Sequence, residues 1–164
     1  MRSWLGLVLF ALGCDDGKSD TAQEEEEGFA LSEGDWSASP LAAVTDGCSI
    51  VEEGGDSFTL NIAMTGDDTF SLTGSELDVS CTLSDQDFTC EEEEDVQDYT
   101  AKGADVILTT RFTYAGSFDT ETAGSLTYTV DVSCEGTDCS ILETDYEVAF
   151  PCESAATTTL SFAG

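Results

Sequence analysis

The side chains in this 164-residue chain that could do chemistry are seven cysteines and an excess of carboxylates. There is no histidine. That removes Ser-His-Asp and Cys-His catalysis and every histidine metal site. No GxSxG elbow, phosphate loop or dinucleotide fingerprint is present. Gly17-Lys18-Ser19 ends like a phosphate loop but lacks the preceding glycine and strand. The thiols could form disulfides, ligate a metal or act as a redox pair. Zinc sites usually carry close pairs such as CxxC. Here four residues separate Cys134 from Cys139 and eight separate Cys81 from Cys90, spacings that favour structural disulfides.

The chain holds 35 acidic residues against four basic ones, a formal charge of −31. Such a surface repels phosphate backbones, which argues against a nucleic-acid partner. It attracts cations and basic proteins and is indifferent to apolar molecules. Calcium takes six to eight oxygen ligands, many of them carboxylates. Asp67, Asp68, Glu91, Glu92, Glu93 and Glu94 are the calcium candidates, although no EF-hand or repeat motif orders them and a run of four glutamates is more often a solvated loop. A hydrolase with paired carboxylates would need one pair set apart by its surroundings. Carboxylates are so abundant that none is, and the expectation is a protein that is not an enzyme.

Met1 to Cys14 read differently. Arg2 gives one positive charge, Trp4 to Leu12 are uncharged and largely apolar, and Gly13 and Cys14 close the run. A charged start, a short apolar stretch and a small residue before the break are the parts of a secretory signal peptide. About nine apolar residues are too few for a helix that spans a bilayer, which needs roughly twenty. Ala11-Leu12-Gly13-Cys14 resembles the lipobox of bacterial lipoproteins, with Ala11 and Leu12 standing where that family more often has Leu and then Ala or Ser. The resemblance implies cleavage after Gly13, a diacylglyceryl group on Cys14 and a place in the bacterial cell envelope. Asp15 directly after the cysteine matches an inner-membrane retention signal of some lineages, so inner and outer membrane both stay open. Residues 14–27 then form the lipidated cysteine and an acidic tether, with seven acids and one Lys from Asp15 to Glu27. Such a composition cannot bury a core and is expected to be disordered. Stretched out, thirteen residues reach roughly 45 Å.

From residue 28 to 164 the pattern is that of a single domain, large enough for a real core. Phe58, Leu60, Ile62 and Met64 alternate with polar or small residues, as do Phe70 and Leu72, then Leu77, Val79, Cys81 and Leu83, then Phe88 and Cys90. Period two marks strands with one buried face. Val106, Leu108, Phe112 and Tyr114 line a long strand, Leu126 to Cys134 the next, Tyr146 to Cys152 a further one and Thr157 to Phe162 a last one. Glu91 to Asp98 read as an acidic loop. No segment after the signal shows a helical period. Short polar connections leave no room for the crossovers that parallel strands require. The expected fold is all-β, an antiparallel meander of about eight to ten strands, with an up-and-down barrel favoured over a sandwich. Gly34-Asp35-Trp36 resembles the Gly-x-Trp opening of lipocalin-like barrels, in which the Trp plugs one end; this too favours a barrel.

With Cys14 lipidated, six cysteines remain, an even number suited to disulfides in an exported protein. A two-residue turn at Asp85-Gln86 sets Cys81 opposite Cys90 in a non-hydrogen-bonded pair, whose Cα atoms lie about 4.5 Å apart. A turn at Gly136-Thr137 sets Cys134 opposite Cys139. Cys48 and Cys152 are left to join the two ends of the sheet. That long loop contributes about 4–5 kcal/mol in the chain-entropy model and each short one roughly 2–3. The function expected is that of a membrane-anchored, non-enzymatic module that binds a small ligand or a protein, with a calcium-dependent adhesion or structural module as the alternative.

Overall fold

The computed structural model describes residues 29–51, 55–75 and 77–164. The signal segment, Cys14 and the acidic tether lie outside them. The described chain forms ten strands: β1 (Gly34–Ala38), β2 (Ala42–Asp46), β3 (Phe58–Met64), β4 (Thr69–Thr73), β5 (Asp78–Ser84), β6 (Asp87–Cys90), β7 (Glu93–Asp98), β8 (Ile107–Thr120), β9 (Ala123–Glu135) and β10 (Cys152–Phe162), with one helix, α1 (Cys139–Tyr146). All the pairings are antiparallel, in the order β1-β3-β4-β5-β6-β8-β9-β10, and β1 also pairs with β10. The sheet is therefore a closed eight-stranded up-and-down barrel, as the alternation predicted.

β2 and β7 are extensions of that barrel. β2 continues β1 past Pro40 along β10, and β7 continues β6 past Glu91-Glu92 along β8. β3, β4 and β5 are five to seven residues long, whereas β8, β9 and β10 run 14, 13 and 11. The long strands outrun the short ones at one end. There the barrel gives way to a five-stranded sheet, β2-β10-β9-β8-β7.

At the other end the interior is solid. Trp36, Phe70 and Phe118 are fully buried, and Phe88 nearly so. Phe118 is the hub: its ring centroid lies 4.9 Å from Phe88, 5.5 Å from Trp36 and 6.0 Å from Phe70. Tilted, edge and offset-stacked pairs at these distances add to the burial energy of the rings. Trp36 donates its indole N–H to the Ser32 carbonyl at 3.1 Å, so its one polar atom is satisfied. Gly116 makes the cluster feasible, because a Cβ there would stand 2.6 Å from the Phe88 ring and 2.1 Å from the Ser125 carbonyl oxygen.

Three disulfides join Cys81 to Cys90, Cys134 to Cys139 and Cys48 to Cys152, the pairs the sequence suggested. Cys81 does face Cys90 across a two-residue hairpin, with Asp85 in the left-handed region at φ 58°. Their Cα atoms are 3.8 Å apart. The Cys48 loop is tied down a second way: Asp46 Oδ1 accepts hydrogen bonds from the Ser154 hydroxyl and from the Ile50 and Val51 N–H groups. The Ser154 hydroxyl first, and those amides after it, hold the Asp46 carboxyl below its ordinary pKa.

Three local expectations are corrected. Residues 93–98 of the acidic stretch form β7 rather than a loop. β7 is an edge strand, paired only with β8 and largely exposed, so no buried face imposed an apolar alternation. Its four acids suit a free edge, since charge discourages pairing with another chain. Gly136-Thr137 is not a hairpin turn but the link from β9 to α1, held by Asp105, whose carboxylate accepts from the Thr137 N–H and hydroxyl. Residues 139–146 are helical, and the strand expected from Tyr146 begins only at Cys152, merging with the one expected at 157–162. No residue of α1 is buried, so it carries no apolar stripe to betray a helical period.

Replacing Phe118 with Ala should cost about 3–5 kcal/mol, the range for a large ring removed from a packed core. Phe58→Ala, at a side chain 37% exposed at the open end, should cost much less. Denaturant melts of the oxidised proteins would show this, and equal losses would mean that the closed end is not the seat of stability.

Candidate functional site

The difference in strand length creates the site. Where β3, β4 and β5 stop, the inward faces of β8 and β9 continue without a facing wall. A half-open cavity of about 400 Å³ lies there, within the range of small-molecule sites. Buried Leu60 and Leu126 form its floor, and Leu41, Phe58 and Leu77 stand along its sides. The long strands supply an aromatic wall of Phe112, Tyr114 and Tyr128.

Strand geometry explains the wall. Successive side chains alternate faces, so Phe112, Tyr114, Gly116 and Phe118 share the inner face of β8. Tyr114 is paired directly with Tyr128 of β9, and their rings stack at 5.5 Å. Phe112, one position along the same face, stacks on Tyr128 at 6.2 Å and 9°. Tyr128 is thus stacked on both Tyr114 and Phe112, and on β8 the aromatic row ends at Gly116, beyond which the filled core begins.

Among the described residues that line the cavity, one carries a charge, Glu93 of β7. Register puts Glu93 opposite Phe112, on the inner face. The Tyr114 hydroxyl donates to Glu93 Oε2 at 3.3 Å, which holds the carboxylate against the aromatic wall. Burial first, and then the Glu93 charge, raise the Tyr114 pKa well above its ordinary value. Burial raises that of Tyr128. Both tyrosines therefore stay neutral hydroxyl donors throughout the physiological range. Thr158, also at the cavity, has its hydroxyl spent on the Ser39 carbonyl at 2.7 Å.

The calcium candidates do not come together. Asp67 and Asp68 sit in the β3–β4 turn at the closed end, and Glu91 to Glu94 lie at and after the β6–β7 break, at the open end. Glu92 and Glu94 turn outward to Arg111, at 3.6 and 2.9 Å, while Glu93 turns inward. Exposed pairs of this kind contribute little to stability. Among the described residues no three acidic or cysteine side chains are grouped so as to hold a metal. The six cysteines from Cys48 to Cys152 are all in disulfides, and Cys14 lies outside the described residues.

Sequence reasoning placed Phe112, Tyr114 and Tyr128 on one face of two neighbouring strands but gave them no role in a site, and it assigned Glu93 to an acidic loop and to the calcium candidates. The signal that pointed further was the inequality in strand length, together with an acid paired opposite an inward aromatic. The chain matches no protein-family model, no curated protein and no solved structure. The class that the fold and cavity define is a closed antiparallel barrel, packed at one end and open at an aromatic mouth.

Because the neutral form of both tyrosines is favoured on folding, the stability they confer is present below the unfolded pKa near 10 and is lost as pH rises through their folded values. Ultraviolet titration of tyrosinate absorbance should show Tyr114 and Tyr128 ionising at higher pH than free tyrosine. Replacing both with Phe should remove that late fraction. Complete reversible titration of every tyrosine near pH 10 in the folded protein would contradict the placement.

Proposed function

We propose that this chain is a non-enzymatic envelope lipoprotein, anchored to a bacterial membrane through Cys14, whose barrel holds a small ligand with an apolar body in its open mouth. The observation that carries this reading is the cavity of about 400 Å³ walled by Phe58, Phe112, Tyr114 and Tyr128. Apolar walls with a few fixed polar groups are the usual composition of small-molecule sites. A filled interior at the closed end supports a ligand held at the mouth rather than swallowed by the barrel. Three disulfides indicate an oxidising, extracytoplasmic compartment. Attachment by acyl chains suits a surface that repels anionic headgroups, and two chains anchor stably where one does not. The acidic tether would then hold the mouth clear of the membrane.

Native mass spectrometry of the protein recovered from its own envelope tests this. The expected result is a diacylglyceryl mass on the Cys14 peptide and a bound small molecule that is absent from Leu77→Trp, a substitution at the cavity side, where Leu77 packs against the edge of the core, that fills the space in a variant whose melting curve shows it to be folded. An unmodified Cys14 in fully processed protein would overturn the anchor. An empty wild type, or equal ligand in both proteins, would overturn the cavity as the binding site.

A further inference from the structure

From the Glu93 carboxylate set in an aromatic wall we infer that the mouth selects an organic cation, an amine or quaternary ammonium on an apolar body; this rests on the cavity being the ligand site. Three observations converge. Glu93 is the only charged side chain among the described residues that line the cavity, and none of them is basic. An anion would meet the like charge of Glu93 and no opposite charge among these residues, whereas a cation would meet the carboxylate. The Tyr114 hydroxyl bonds to Glu93 Oε2, which fixes the carboxylate beside the wall. Tyr114, Tyr128 and Phe112 line the same cavity, and an aromatic ring attracts a cation that sits within about 6 Å of its centre.

The rest of the molecule reinforces the choice. Residues 28–164 carry 28 of the 35 acids and only two bases, Lys102 and Arg111. Lys102 lies over the Tyr99 ring at 4.9 Å, and Arg111 is paired with Glu92 and Glu94 on the outer face. Neither competes for Glu93. The summed field concentrates cations at the surface and repels anions, at a rate that falls with salt. The cavity itself then sorts by shape: an inorganic cation fills none of the apolar wall, whereas a cation with a ring or branched chain fills it and brings its charge to Glu93.

The test uses three probes of one shape: 2-(1-naphthyl)ethylamine, 2-(1-naphthyl)ethanol and 1-naphthylacetate, bound to the full chain with its disulfides intact and followed by calorimetry at neutral pH. The amine should bind about tenfold more tightly than the alcohol, the contribution of one well-placed ion pair with aromatic faces, and the acid most weakly. Glu93→Gln should bring the amine down to the alcohol's affinity, in a variant whose circular dichroism and melting curve show it to be folded. Leu77→Trp should abolish all three. Equal binding of all three probes to the wild type would overturn the selectivity but leave the cavity reading standing. A preference for the amine that survives Glu93→Gln would overturn the role of Glu93 and assign the effect to the general surface field. No binding of any probe would overturn both readings.

Discussion

Strand length is the constraint from which the rest follows. An up-and-down barrel closes only where every strand has a neighbour on both sides. β1 and β3 to β6 supply neighbours over four to seven residues, and β8, β9 and β10 continue for several more. Over the shared length, inward side chains meet from all sides and pack around Phe118. Beyond it no barrel strand stands opposite the long ones: Phe112, Tyr114 and Tyr128 line the cavity, while Val130 and Ser154 are buried, Ser154 against the loop at Cys48, and β2 and β7 are left with free edges. The solid end and the open mouth are thus one geometric fact, and Gly116 marks the boundary between them: on its inner face it makes room for Phe88 on one side, and on the other the tyrosine wall begins.

The free edges and the charge answer each other. An uncovered strand edge invites pairing with another chain, and β7 meets this with Glu93, Glu94, Asp95 and Asp98 in six residues. That charge adds self-repulsion, which opposes the compact state. The disulfides sit where covalent restraint offsets it. Cys81–Cys90 ties the short strand β6 to β5, Cys134–Cys139 fixes α1 to the end of β9, and Cys48–Cys152 binds the loop after β2 to β10, at the far end of the open sheet. A domain so built suits an oxidising compartment.

What was legible in the sequence was whatever a one-sided burial writes into it. β3, β4, β5 and β6 each bury one face, and Leu60, Ile62, Phe70, Leu72, Val79, Cys81 and Phe88 alternate accordingly. The Cys81–Cys90 pairing was readable because turn length fixes register locally. β7 and α1 were not legible, because neither buries a face. The Cys134–Cys139 pair was found through a turn that does not exist; five residues of separation suffice for a bridge from strand end to helix start as well as across a hairpin. The site was hidden for a different reason. Tyr114 and Tyr128 have the alternation of core residues, and only the distant endings of β3, β4 and β5 decide that they face a cavity.

The central claim is that the barrel is closed and packed at one end and open at the other. Residue-resolved amide hydrogen exchange of the oxidised protein measures this directly. Amides of β4 and β5, and those at Gly116–Phe118 and Gly124–Leu126, should exchange at least about a hundredfold more slowly than those of β7, whose outer edge has no partner. Protection of β7 equal to that of β4 and β5 would mean that the sheet closes along its whole length, leaving no open mouth at Tyr114 and Tyr128.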